Sequence, residues 1–130
     1  MLFRSTDKIV GGAASYISLA SSYFEKEIFL VSVVGDDFPQ TFLNLLKDKG
    51  TNLEGLQIKK GEKSFFWKGK YHNDLNNRDT LDTQLNVLAN FNPVVPESAK
   101  ECEFLMLGNL VPAIQQSVIN QMRKKPKLIV

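Results

Sequence analysis

Residues 11–56, GGAASYISLASSYFEKEIFLVSVVGDDFPQTFLNLLKDKGTNLEGL, decide the fold. After the diglycine Gly11-Gly12, small and apolar residues recur at helical spacing as Ala13, Ile17, Ala20 and Phe24. Ala14, Ser15 and Ser18 keep that helix slim enough to approach a sheet closely. Residues 28–34 are apolar except for Ser32, the pattern of a strand covered on both faces. Gly35 ends the strand, and Asp36 or Asp37 is expected to cap a second helix carrying Phe38, Phe42, Leu45 and Leu46. Gly50 stops that helix, with Lys47 and Lys49 favourably placed in its last turn. Helix, strand, turn and helix in this order predict an α/β unit with parallel strands, whose carboxyl ends gather ligands.

Outward from this unit the pattern changes. Residues 1–10 show no helical period and are expected to form a short strand or an extended arm. Residues 56–58 and 64–71 predict two strands joined by a turn over Lys59, Lys60, Gly61 and Glu62. Alternation in the second sets Phe65, Trp67, Gly69 and Tyr71 on one face and Ser64, Phe66, Lys68 and Lys70 on the other. A polar loop is expected over residues 72–82 and a further short strand over 85–89. Pro93 and Pro96 mark the return to α/β character. There, a buried-type strand at 104–107 runs into Gly108-Asn109. A helix over 112–122 follows, and a third apolar strand begins at Lys127. A parallel strand without its following helix is an odd domain end, so the C-terminus reads as a truncation.

Composition narrows the function classes. The 130 residues fit one domain, and 43% hydrophobic with 23% charged residues is the balance of a soluble globular protein. A net charge of +2 is too small to indicate a nucleic-acid partner by itself, and no nucleic acid is expected. The basic group Arg123, Lys124, Lys125 and Lys127 reads as a helix-end cluster. No apolar run approaches the roughly 20 residues of a membrane span. Cys102 is the sole cysteine, so no intrachain disulfide forms and a reducing, cytoplasmic setting is expected.

No Gly-Lys-Ser/Thr phosphate loop occurs, and the diglycine lacks the third glycine of a dinucleotide fingerprint. Gly11 and Gly12 alone suit a plain strand break or helix entry. Trp67 and Phe65 fit a small core as well as they fit a stacking surface. His72, Asn73 and Asp74 with Asn76, Asn77, Arg78 and Asp79 read most simply as a polar turn. One histidine among acids does not define a metal site. If the turn binds anything, Asn73, Asp74 and Arg78 are the candidate sugar or phosphate contacts.

Taken together, the diglycine helix, the Val34-Gly35-Asp36-Asp37-Phe38 turn and Gly50-Thr51-Asn52-Leu53-Glu54-Gly55-Leu56, at these spacings, resemble the N-terminal portion of the ribokinase, or PfkB, family of carbohydrate kinases. The resemblance extends more weakly to Val130. It implies a partial ribokinase-like, Rossmann-type three-layer α/β unit over residues 1–130, with parallel strands and a small β lid within about 56–89. It further implies transfer of the γ-phosphoryl group of ATP to a sugar or nucleoside hydroxyl.

Gly11 and Gly12 would be hinge and substrate contacts, and Trp67 would stack on the sugar. Tyr16 stands where the family commonly has a sugar-binding asparagine, and Asn109 near a position where members can use an acid. Those two departures point away from ribose towards another hydroxylated substrate. ATP and Mg2+ serve the full-length enzyme, and neither is expected to bind this chain alone. The catalytic aspartate of the family's Gly-Ala-Gly-Asp segment has no counterpart here and is expected beyond the C-terminus. The expected partners are a small sugar or nucleoside and, through the lid, a second copy of the chain. The other readings are a non-catalytic sugar-binding or dimerisation module of the same fold and, more weakly, a Rossmann-like nucleotide binder.

Overall fold

A computed structural model describes residues 8–74 and 76–130. The part of the expected N-terminal strand or arm within residues 1–7 lies outside them, and Lys8, Ile9 and Val10 form no strand. Helix α1 spans Ala13–Ser21, shorter than its periodicity suggests. The apolar run divides into β1 (Ile28–Phe29) and β2 (Ser32–Gly35). Helix α2 (Gln40–Asp48) leads to β3 (Thr51–Asn52) and β4 (Leu56–Lys59).

Both pairs, β1–β3 and β2–β4, are parallel. Ile28 faces Thr51 whereas Ser32 faces Leu56, so the second strand holds one extra residue between the pairs. This local bulge divides what would otherwise be one ladder. Gly55 lies at the irregularity, where an added Cβ would stand 2.9 Å from the Leu30 carbonyl oxygen and 2.9 Å from Val31 Cγ2.

The middle of the chain corrects the expected strand pairing. Residues 56–59 belong to the parallel pair with β2. Residues 66–71 form β5 (Phe66–Tyr71), which pairs antiparallel with β6 (Arg78–Gln84). The expected polar loop at 72–82 is therefore partly strand, and the hairpin is confined to residues 66–84. Residues 85–89 are not a strand: a 3-10 turn, Asn86–Leu88, stands there and Val87 is buried in it.

Beyond a second 3-10 turn, Glu97–Ala99, come β7 (Phe104–Leu105), α3 (Pro112–Gln121) and β8 (Leu128–Ile129). β7 and β8 are again parallel. Pro112 opens α3, where its missing N–H costs nothing.

The core fixes the layers. Val33 packs with Val87 and Phe91, and with Val31, Leu88, Leu110 and Ile114 around them. Thus the 3-10 turn and α3 cover one face of β2. Val34, alternating with Val33, is buried on the opposite face, and α2 buries Leu43 and Leu46. Helix α1 touches α2.

The β2–α2–β4 unit and the β7–α3–β8 unit are each a parallel strand pair joined through a helix. No helix among the described residues is long and apolar enough to cross a membrane.

Candidate functional site

In parallel α/β units polar groups gather beyond the carboxyl ends of the strands, here β2 and β7. Three segments meet that description.

The first is the start of α1. Gly12 has φ 92° and ψ 143°, a conformation essentially reserved for glycine. Its carbonyl accepts from the Tyr16 amide at 3.4 Å, which sets the helix entry. Gly11 and Gly12 are exposed, and nothing lies within 4 Å of where a Cβ would stand on either. Open space beside two backbone amides at a helix start suits approach by a hydroxylated ligand. The Tyr16 hydroxyl donates to the Val10 carbonyl at 3.3 Å, folding the ring back on the preceding arm.

The second is the turn after β7. A Cβ on Gly108 would sit 3.9 Å from Ala13 Cβ, so this turn abuts the first residue of α1. The Gly108 carbonyl accepts from Gln115 Nε2 at 2.8 Å and from the Leu110 amide at 2.8 Å. These bonds fix the turn and leave Asn109 exposed at its tip. Gln115 was not foreseen from the sequence, because a glutamine early in a helix carries no local signal of a bond back across the turn.

The third is the clasp that follows β2, and it corrects the expected role of Asp36 and Asp37. The N-cap of α2 is Pro39, without a side-chain cap bond. Asp36 Oδ2 accepts instead from the Gly61 amide at 2.7 Å, and Asp37 Oδ1 from the Ser64 amide at 2.7 Å. Ser64 Oγ accepts from the Gly35 amide at 2.9 Å, while the Ser64 carbonyl accepts from Asn86 Nδ2 at 2.8 Å. Burial works to raise the Asp37 carboxyl. Hydrogen bonds from the Ser64 amide and hydroxyl, with the Lys8 charge, outweigh it and hold the group below the usual range. The base of the hairpin is thus tied to the carboxyl end of β2.

The hairpin carries the remaining candidates. The Trp67 indole lies over Gly69, where any Cβ would collide with its six-membered ring. Trp67 Nε1 donates to Thr80 Oγ1 at 3.2 Å, and the Arg78 guanidinium stands 5.5 Å from the ring centre. On the opposite face of β5, Lys8 Nζ stands 5.3 Å from the centre of the Phe66 ring. Asp74 accepts from the Asn77 and Asn76 amides and from Asn77 Nδ2, which lowers its pKa. His72 Nε2 and Asp79 Oδ2 pair at 3.1 Å. Asn73 is exposed on this turn.

Gly11, Gly12 and Asn109 line one cleft together with Trp67 of the hairpin, whereas Tyr16 does not line it. Asp36 and Asp37 are engaged in the clasp, and no three His, Cys, Asp or Glu side chains converge among the described residues. The site opens into a cleft of about 2670 Å³, well above the roughly 300–1,000 Å³ of a small-molecule pocket.

No protein-family model and no curated protein matches the sequence. Among solved structures, the chain is similar to a crystal structure from Thermoplasma acidophilum named a "putative ribokinase". The TM-score is 0.60 at 15% sequence identity, over 90% of this chain and 42% of that one. The chain thus spans less than half the length of that neighbour, and their likeness is one of fold: this is a mixed α/β chain with a ribokinase-like arrangement of small parallel sheets.

Proposed function

We propose that this chain forms the acceptor-binding part of an ATP-dependent carbohydrate kinase, holding the sugar or nucleoside whose hydroxyl receives the γ-phosphoryl group. The observation that carries the reading is the approach of Gly108 to Ala13, which sets Asn109 beside the Gly11-Gly12 helix start. Exposed amides that donate, and a carboxamide that donates and accepts, complement a ring bearing several hydroxyls. The hairpin serves as the lid, with Trp67 offering an aromatic surface. Its exposed Tyr71 and Leu81 would meet a second copy of the chain. In this proposal ATP, Mg2+ and the catalytic aspartate belong to further polypeptide, so the 130 residues alone bind the acceptor without phosphorylating it. Phosphoryl transfer needs a base and phosphate-charge stabilisation besides a positioned acceptor.

Calorimetric titration of the chain with ribose, glucose, fructose and adenosine, using cyclohexanol as control, tests this reading. Saturable binding of at least one polyhydroxylated ring, with no consumption of ATP, is the expected outcome. Absence of binding across the panel, or phosphorylation of any member by the 130 residues, overturns it.

A further inference from the structure

A second, smaller cavity of about 430 Å³ lies beside β4, and it shares no lining residue with the cleft that holds Gly11 and Asn109. Its size falls within the roughly 300–1,000 Å³ of small-molecule sites. One wall is a face of β4, Gln57 and Lys59, with Glu54 just before the strand. The other is the segment after Phe91, which contributes Asn92, Val94 and Pro96.

Both walls are pinned. Burial alternates along the second one: Phe91, Pro93 and Val95 are buried, while Asn92 and Val94 are exposed. Gln121 holds that segment, accepting from the Val95 amide at 2.9 Å and donating to the Pro93 carbonyl at 3.0 Å. Gln57 Nε2 crosses between the walls to the Asn92 carbonyl at 2.7 Å. Ser98 Oγ donates to Glu54 Oε2 at 2.8 Å, and a Cβ on Gly55 would stand 3.2 Å from Pro96 Cδ. A cavity fixed in advance spares a ligand much of the ordering cost of binding.

Its charges are left over. Neither the Glu54 carboxylate nor the Lys59 ammonium has an ion-pair partner among the described residues. Opposite charges that line one cavity without meeting each other suit an occupant carrying both signs. The Asn92 carboxamide adds a donor and an acceptor, and Val94, 59% exposed, forms an apolar wall with Pro96. Along a strand the chain rises about 3.3 Å per residue, so Glu54 and Lys59 stand farther apart than the two charges of a single amino acid. Two extended residues reach about 7 Å, and the flexible ends of both side chains close the remainder.

We infer that this cavity binds a zwitterionic dipeptide, whose ammonium meets Glu54, whose carboxylate meets Lys59 and whose apolar side chain rests on Val94 and Pro96. The site is separate from the acceptor site and does not depend on any part in phosphoryl transfer.

The test titrates glycyl-valine into the 130-residue chain and follows amide chemical shifts by NMR, with N-acetyl-glycyl-valine, glycyl-valinamide and free valine for comparison. Saturable one-to-one shifts centred on Gly55, Gln57, Lys59 and Asn92 are expected. Acetylation and amidation should each weaken binding about fivefold, the worth of one partly exposed ion pair. Glu54→Gln keeps an acceptor for Ser98, so it should fold normally and bind glycyl-valine about fivefold more weakly. It should bind the acetylated peptide as the wild-type chain does, and Lys59→Gln should behave likewise towards the amidated one. Absence of saturable shifts at the four amides overturns the inference. So does equal binding of the capped and free peptides, or binding of free valine as tight as that of the dipeptide. Saturating shifts at Gly11 and Asn109 instead also overturn it, because the peptide then occupies the other cleft.

Discussion

Asp37 Oδ1 accepts a hydrogen bond of 2.7 Å from the Ser64 amide, 27 residues further along the chain. With Asp36 on Gly61 and Gly35 on Ser64 Oγ, it converts the turn after β2 into the anchor of the hairpin. A two-stranded hairpin is marginal by itself, so its position relative to the parallel strands depends on such ties.

Replacing Asp37 with Asn should loosen the hairpin more than the sheet. A charged hydrogen bond at this exposed position contributes about 1 kcal/mol. Hydrogen exchange should accelerate across residues 66–84 and stay unchanged at Leu46. The pH dependence has a fixed sign. The Asp37 pKa is lowered in the folded chain, so its contribution is complete above the ordinary value of 3.8 and is lost as pH falls through the folded value. Wild-type chain should lose hairpin protection below that point, and Asp37→Asn should lack this step. Uniform acceleration over the whole chain would contradict the anchoring role.

Gly35→Ala should be severe. An added Cβ would stand 2.6 Å from both the Lys63 carbonyl carbon and the Ser64 nitrogen, and backbone atoms cannot swing aside. The clasp must open, at a cost above about 2 kcal/mol. Thermal or urea unfolding checks this, and a change under about 0.5 kcal/mol would contradict it.

Much of the parallel unit was legible because its signals are local. The apolar run at 28–34, Gly50 with φ 87°, and Pro112 at a helix start each act within a few residues. The hairpin was not legible in the same way. Arg78, Asp79, Thr80 and Asp82 give β6 no apolar alternation, since it is exposed along nearly its whole length. Without that pattern, residues 64–71 paired on paper with their sequence neighbours at 56–58. Asp36 and Asp37 misled for a related reason. An acid before a helix normally caps it, but Gly61 and Ser64 compete for these carboxylates from far along the chain. Of the candidate site, the sequence located the diglycine and Asn109 separately. Only the fold brings Gly108 to Ala13.

The two glycines of the site should separate stability from binding. Gly11→Ala finds open space and should change stability by less than about 0.5 kcal/mol. If its amide meets the acceptor, the added methyl should still weaken sugar binding several-fold. Gly12→Ala must hold φ 92° and should cost about 1–3 kcal/mol besides. Parallel calorimetry and urea unfolding would show this split, and unaltered affinity in Gly11→Ala would remove that residue from the site.

Trp67 is the sole tryptophan, so its emission reports the hairpin directly. Gly69→Ala places a methyl where the indole ring lies and should lift the ring off Gly69 and away from Thr80. A red-shifted emission maximum is expected, with unfolding little altered in the parallel core. An unchanged spectrum would contradict the packing of Trp67 on Gly69.

The central claim, an acceptor site at the meeting of α1 and the β7 turn, is tested most directly by mapping amide chemical shifts while a bound sugar is titrated in. Saturating shifts concentrated at Gly11, Gly12, Ala13, Gly108 and Asn109, with a smaller response at Trp67, are predicted. Shifts confined to the hairpin turn at residues 72–79, or scattered without saturation, would contradict the account.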